Sequence, residues 1–215
     1  RDYYASRGLG DVYKRQENIP YEIDRDSCVE EDWINNWKKY FHPIPVGEKL
    51  LIRPLWEDDY DAQGRTVLHL EPGLAFGTGT HETPRLCLEL LEKYVAPGID
   101  FLDMGCGSGI LSIAALRLGA ASAKAVDIDD KCLTVAYENA ALNGIGKDRY
   151  TVLVGDVLSN GALRETLGGG YDVVVANIVA DVIIGLAPMV RQFLKPGGLF
   201  LCSCLLYTSP SPRDA

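Results

Sequence analysis

One stretch governs what this chain can fold into: Ile99-Asp-Phe-Leu-Asp-Met-Gly-Cys-Gly-Ser-Gly-Ile-Leu-Ser-Ile-Ala-Ala-Leu-Arg-Leu-Gly119. A short apolar run ends in an acid and passes through three alternating glycines, Gly105, Gly107 and Gly109, into Ala/Leu/Ile-rich helical sequence. The pattern predicts strand, tight turn, helix. Glycine lets a backbone turn sharply and approach a ligand without a Cβ in the way. The helix N-terminus behind such a turn offers N–H groups and partial positive charge to an anionic group. The spacing is G-x-G-x-G followed by Ile110, which fails the dinucleotide fingerprint G-x-G-x-x-G. A second acid, Asp127, closes the next apolar run 22 residues after Gly105. At the end of a second strand its carboxylate can accept both hydroxyls of a ribose.

The segments downstream repeat this rhythm. Asp130–Asn143 has helical spacing and stops at Asn143-Gly144. Tyr150–Val154 reads as a third strand ending at Gly155-Asp156, and Tyr171–Asn177 as a fourth. Ala180–Leu194 reads as a helix, and Lys195-Pro-Gly-Gly198 turns into a fifth strand that includes Leu199–Ser203. Apolar strands alternating with helices predict an α/β fold, a doubly wound and mainly parallel sheet. Ligands of such sheets gather at the strands' C-terminal edge. There Asp156 can meet the exocyclic amine of a base or cap a helix, and Asn177 offers a side-chain carbonyl and amide or caps the helix near Ala180.

Upstream, Lys49–Arg53 is expected to be a strand, with Val67–Leu70 its hairpin partner across the turn-rich Glu57–Gly64. Glu71–Arg85 is rich in Gly and Thr and opens a helical run, Leu86–Tyr94. It reads either as a ligand lid or as a plain helix start capped by Thr80 or Thr83. His81 alone is more often structural than catalytic. Glu17–Trp56 carries Trp33, Trp37, Tyr40, Phe41 and Trp56, with a short helix over Asp32–Tyr40. These aromatics read as a satellite cluster packed on the main domain.

With 215 residues and 47% hydrophobic content, one globular domain with a small appendage is expected. Net charge −9 and a pI near 4.8 argue against nucleic acid as the main partner and suit a basic protein. The six cysteines lack paired metal spacing, so no metal is expected and reduced thiols are the default. No signal peptide and no run of 18 apolar residues is found, which leaves no membrane partner and the cytoplasm as the expected compartment. Residues 1–16 and 204–215 match no pattern in the rest of the chain and resemble translated adapter sequence. The expected division is 1–16 and 204–215 as non-native tails, 17–70 as connector and remnant of a recognition domain, and 71–203 as the main domain.

Asp103–Gly109, Asp127, Asp156, Asn177 and Lys195–Gly198 together resemble the S-adenosylmethionine-dependent methyltransferases with a seven-stranded Rossmann-like sheet. More narrowly, Glu71–Arg85, Ala176-Asn-Ile-Val-Ala180, Trp37-Lys-Lys-Tyr-Phe-His-Pro43 and Ile52-Arg-Pro-Leu-Trp56 resemble the bacterial ribosomal protein L11 methyltransferases. The resemblance covers about residues 17–203 and implies that the sheet's last two strands and most of an amino-terminal recognition domain lie outside this sequence. It implies S-adenosylmethionine as cofactor, whose sulfonium makes a methyl electrophilic, and lysine and amino-terminal amines of a basic ribosomal protein as acceptors. The protein must then align the amine and remove its proton. Gly105, Gly107 and Gly109 would hold the methionine end, Asp127 the ribose and Asp156 the adenine. Thr83 would touch the cofactor from the lid. The family usually has a second threonine where this chain has Pro84. Asn177 would be catalytic, accepting hydrogen bonds from the amine, and both it and Pro84 would also border the cofactor. A monomer is expected. The alternatives are a methyltransferase of the same fold acting on a small molecule or RNA, and a cofactor-binding fragment without activity.

Overall fold

Five apolar runs, each followed by a turn or helix signal, become five parallel strands. The computed structural model describes residues 42–57, 60–70 and 82–203, with side chains of the last segment described from Pro84 onward. Its main sheet consists of β4 (Asp100–Met104), β5 (Ser122–Asp127), β6 (Tyr150–Val154), β7 (Tyr171–Asn177) and β8 (Leu194–Ser203). The order is β6-β5-β4-β7-β8, with every neighbouring pair parallel. Strand order reverses between β4 and β7, so the ends of those strands flank the switch point where open α/β sheets bind ligands.

Side-chain alternation divides the core into two layers. Phe101, Val173 and Val175 face a cluster shared with α1 (Glu82–Tyr94), α2 (Ile110–Arg117) and α3 (Lys131–Leu142). Leu102, Met104, Val174 and Ala176 face the other cluster, with α4 (Gly161–Leu167), α5 (Ala180–Leu186) and a 3₁₀ turn, Val190–Gln192. α4 has no counterpart among the expected helices; it is capped by Asn160, whose side chain accepts from Leu163 N at 3.0 Å. The helix expected over Ala180–Leu194 stops at Leu186. Pro188 cannot donate the next helical hydrogen bond, and Leu194 already pairs with Tyr171. The pairing resumes at Val173 with Leu199, so Lys195–Gly198 swings out of register, and Lys195 forms an ion pair with Asp172.

A second sheet has three strands, β1 (Ile44–Val46), β2 (Leu50–Pro54) and β3 (Thr66–Leu70), in sequence order. The expected hairpin is not formed by β2 and β3, which run parallel. It is formed by β1 and β2, with Val46 opposite Leu50. Arg65 enforces this arrangement. Its Nη1 donates to the carbonyls of Val46, Gly47 and Leu50 at 3.3, 2.7 and 3.2 Å, which pins the start of β3 beside the start of β2. Pro45 is tolerated because β1 is an edge strand. The β1–β2 turn docks on α1, where Glu92 accepts the N–H groups of Glu48, Lys49 and Leu50, each at 2.9 Å.

The compact unit begins at His42. Val46, Leu50, Ile52, Leu68 and Leu70 belong to the same buried cluster as Phe101 and Ile113. The boundary expected between residues 70 and 71 therefore falls inside this unit. On the other flank, Tyr137 Oη accepts Val152 N–H of β6 at 3.0 Å, and its ring meets Tyr150 edge-on at 5.9 Å. The expected helix over Asp32–Tyr40, the aromatics up to Phe41, both tail segments and the Gly/Thr loop through His81 lie outside the described residues.

Candidate functional site

The β4–α2 turn needs glycine at each of its three positions. Gly105, Gly107 and Gly109 have φ of +79°, +52° and +78°, the left-handed region where a Cβ is strained. A Cβ on Gly105 would overlap Ile178 Cγ2, and one on Gly109 would lie 2.8 Å from the Tyr150 hydroxyl. The loop is held by neighbouring strands. Gly105 N–H donates to Val126 O at 2.8 Å, and Gly107 N–H donates to Asp127 Oδ2 at 2.8 Å. Asp127 Oδ1 accepts from Asp129 N at 3.0 Å. Each carboxylate oxygen is thus held by a backbone N–H and keeps further acceptor capacity.

Gly105, Asp127 and Asp156 line one cleft of about 440 Å³, within the range of small-molecule sites. Its walls are apolar, with Ile128, Leu158, Ile178 and Val179 among them, and Ile128 is 73% exposed. Asp156 is engaged locally: Oδ1 accepts Leu158 N at 2.8 Å and Oδ2 the Ser159 hydroxyl at 2.6 Å. The Ser159 and Leu158 hydrogen bonds hold its carboxyl below the usual range. Asp156 is not the helix cap, since Asn160 fills that position. Gly107 and Gly109 shape the loop without lining the cleft.

Asn177 ends β7 half-buried, in register with Ser203 and next to the cleft residue Ile178. It does not line the cleft, and α5 begins after Val179 without a side-chain cap, so the capping alternative for Asn177 is not realised. Thr83 lies inside the first turn of α1, so it is not the N-cap; Pro84 is buried there and does not line the cleft.

In the sequence Asp103 stands as the acid that ends a strand. It points into the core, fully buried, with Oδ2 accepting the Ser112 hydroxyl at 2.8 Å and Ser112 N at 3.2 Å. Its other oxygen is buried and, among the described residues, has no hydrogen-bond partner. Burial pushes the Asp103 carboxyl up to about 7, against the two Ser112 bonds and with the Asp127 charge adding to the rise. Parity along β4 carries the signal that was missed: Asp103 shares the inner face with Phe101. The apolar walls were also unmarked, although Ile128 and Ile178 each directly follow a polar strand-end residue. Among the described residues no group of three or more His, Cys, Asp or Glu side chains could hold a metal ion, and no helix is long and apolar enough to cross a membrane.

Comparison with protein families matches residues 10–210 to the ribosomal protein L11 methyltransferase family. The chain belongs to this family. It is 48% identical over 189 residues to the ribosomal protein L11 methyltransferase of Caldanaerobacter subterraneus subsp. tengcongensis, covering 88% of this chain and 58% of that protein. The Clostridium botulinum Alaska E43 enzyme of the same name is 43% identical over 185 residues, covering 86% and 56%. The chain thus spans a little over half the length of these relatives. A solved ribosomal protein L11 methylase from Lactobacillus delbrueckii subsp. bulgaricus superposes with a TM-score of 0.65 at 37% identity, over 74% of this chain and 78% of that one. A SAM-dependent methyltransferase from Agrobacterium tumefaciens shares the fold alone, at 19% identity and TM-score 0.50, over 61% of this chain and 48% of that one. The Rossmann-like methyltransferase sheet expected from the glycine motif is the fold observed.

Proposed function

We propose that this chain carries the cofactor-binding part of an enzyme that transfers methyl groups from S-adenosylmethionine to lysine and amino-terminal amines of ribosomal protein L11. One observation carries the reading: the glycine loop and Asp127, tied together through Gly107 N–H, open on the same cleft as Asp156. The residues fit the cofactor. Gly105 leaves room that a Cβ would fill, Asp127 presents acceptors suited to a ribose, and Asp156 and the apolar wall suit an adenine. When bound, the cofactor supplies a methyl on a positively charged sulfur, open to in-line attack by a neutral amine.

The chain's own groups then align and exclude. Gly105, Gly107 and Gly109 give the backbone its close approach, and Thr83 and Pro84 bring the start of α1 to the cofactor. Asn177, at the end of β7 and free of helix capping, accepts from the incoming amine and turns its lone pair toward the methyl. The net charge of −9 favours a basic ribosomal protein over RNA. We place the enzyme in the cytoplasm as a monomer.

The test is to incubate the chain with ribosomal protein L11 and labelled S-adenosylmethionine, and to read cofactor retention and the substrate's mass. Binding with stepwise mass gains of one methylene each supports the reading. Binding without transfer reduces it to a cofactor-binding fragment. Transfer only to RNA or a small molecule selects the alternative substrate class, and no binding at all removes the proposal.

A further inference from the structure

Two asparagines at the end of α3 are buried, Asn139 in its last turn at 3% exposure and Asn143 at its C-cap at 7%. They stand one helical turn apart, where side chains share a face. Asn139 Nδ2 donates to Ser108 O, inside the glycine loop, at 2.9 Å. Asn143 Nδ2 donates to the Asn139 carbonyl at 2.8 Å and to His69 O at 2.7 Å, and its Oδ1 accepts His69 N at 2.9 Å. Two side chains therefore join three backbones: the glycine loop, the helix and the end of β3.

Ser108 sits between Gly107 and Gly109, both in the left-handed region. Glycine explores the widest range of backbone conformations, so a loop with three of them is ordered only against a large entropy cost. Asp127 holds one side of the loop, at Gly107 N–H. Peptide planarity makes a hold on the Ser108 carbonyl also a hold on the Gly109 N–H direction. On the other side of that peptide plane, Gly109 N–H closes the turn on Cys106 O at 2.8 Å.

We propose that Asn139 is a positioning residue for the cofactor: its amide clamps the Ser108 carbonyl and sets the glycine loop in its binding conformation before ligand arrives, while Asn143 serves only to tie β3 to the helix. This rests on the reading of the loop as the S-adenosylmethionine site. The experiment uses the isotope-labelled full chain as wild type, Asn139→Ala, Asn139→Asp and Asn143→Ala. Amide hydrogen exchange and the Gly109 ¹⁵N resonance are followed without ligand, and S-adenosylmethionine affinity is measured by titration.

Without ligand, both Asn139 variants are expected to exchange amides of residues 105–110 about tenfold faster or more, from loss of a buried hydrogen bond. The Gly109 ¹⁵N resonance should move, since that nitrogen shares the peptide whose carbonyl loses its partner. Affinity should fall about tenfold. Asn143→Ala should lower the melting temperature while loop exchange and affinity stay within about twofold of wild type. Asn139→Asp keeps the volume and carries the measurement if Asn139→Ala does not fold. Unchanged loop exchange and Gly109 resonance in the Asn139 variants would overturn the clamp. So would affinity that follows the melting temperature alike at both positions. Failure of the wild type to bind S-adenosylmethionine would instead remove the cofactor reading, and the ligand-free exchange still decides whether Asn139 holds the loop.

Discussion

Asn177 and Asp103 sit at the ends of neighbouring strands and face different surroundings. Asn177→Ala should leave cofactor affinity intact and slow methyl transfer by about 10²-fold or more, because orienting a nucleophile counts in the transition state more than in the ground state. Titration and turnover on the same preparation check this, and affinity falling in step with turnover would place Asn177 in the cofactor pocket instead. Asp103 gives a pH signature. Its folded carboxyl keeps a proton up to about 7, whereas the unfolded chain releases it near 3.8. Between those values the folded state binds more protons, so this contribution to stability falls as pH rises and is lost above 7. Asp103→Asn lacks that slope. Its unfolding free energy relative to wild type, read by chemical denaturation, should climb between about pH 4 and about pH 7 and level off beyond, by on the order of a few kcal/mol in all. Parallel curves would show that burial does not hold the proton. The glycines, Asp127 and Asp156 were legible because each stands where a run of one periodicity stops. Asp103 looked equivalent and is not, since only the parity of a strand, judged against a core not yet known, tells inward from outward.

The glycine turn is the element that the helices and strands around it exist to hold. Gly105→Ala is expected to reduce cofactor binding at least tenfold and to cost about 1–3 kcal/mol of stability, the range for a non-glycine residue held in the left-handed region. The overlap with Ile178 adds to that strain. Chemical denaturation and titration measure the two losses, and near wild-type values in both would mean the turn relaxes easily. Some strand and helix ends downstream match the sequence pattern to within a residue or two, as at Tyr150–Val154 and Lys131–Leu142, while the end of α5 and the whole of α4 do not. The errors share a cause. The pairing of β3 with β2 is decided by Arg65 reaching carbonyls up to nineteen positions upstream, and the shortened α5 by Pro188, whose missing N–H was outweighed by an apolar pattern. Local periodicity records which face is wet. It does not record which strand lies alongside.

At the scale of the molecule, the small sheet is structural to the large one. Five of its side chains are essentially fully buried in the shared cluster. At about 1.5–3 kcal/mol each they amount to roughly the entire net stability of a typical domain. A chain lacking residues 42–70 should therefore lose its cooperative thermal transition, seen by near-ultraviolet circular dichroism, while a sharp transition near the parent temperature would restore the division at residue 70. The Gly/Thr-rich composition after Leu70 marks a loop and says nothing about which strands pack together on either side of it. The phenol of Tyr137 has a further effect beyond the single chain. By filling the Val152 N–H on the outer side of β6, it withholds a hydrogen-bond donor that a strand from another molecule would otherwise find. A side chain packed against its own sheet thus also leaves one fewer open donor along that edge for a second molecule to pair with.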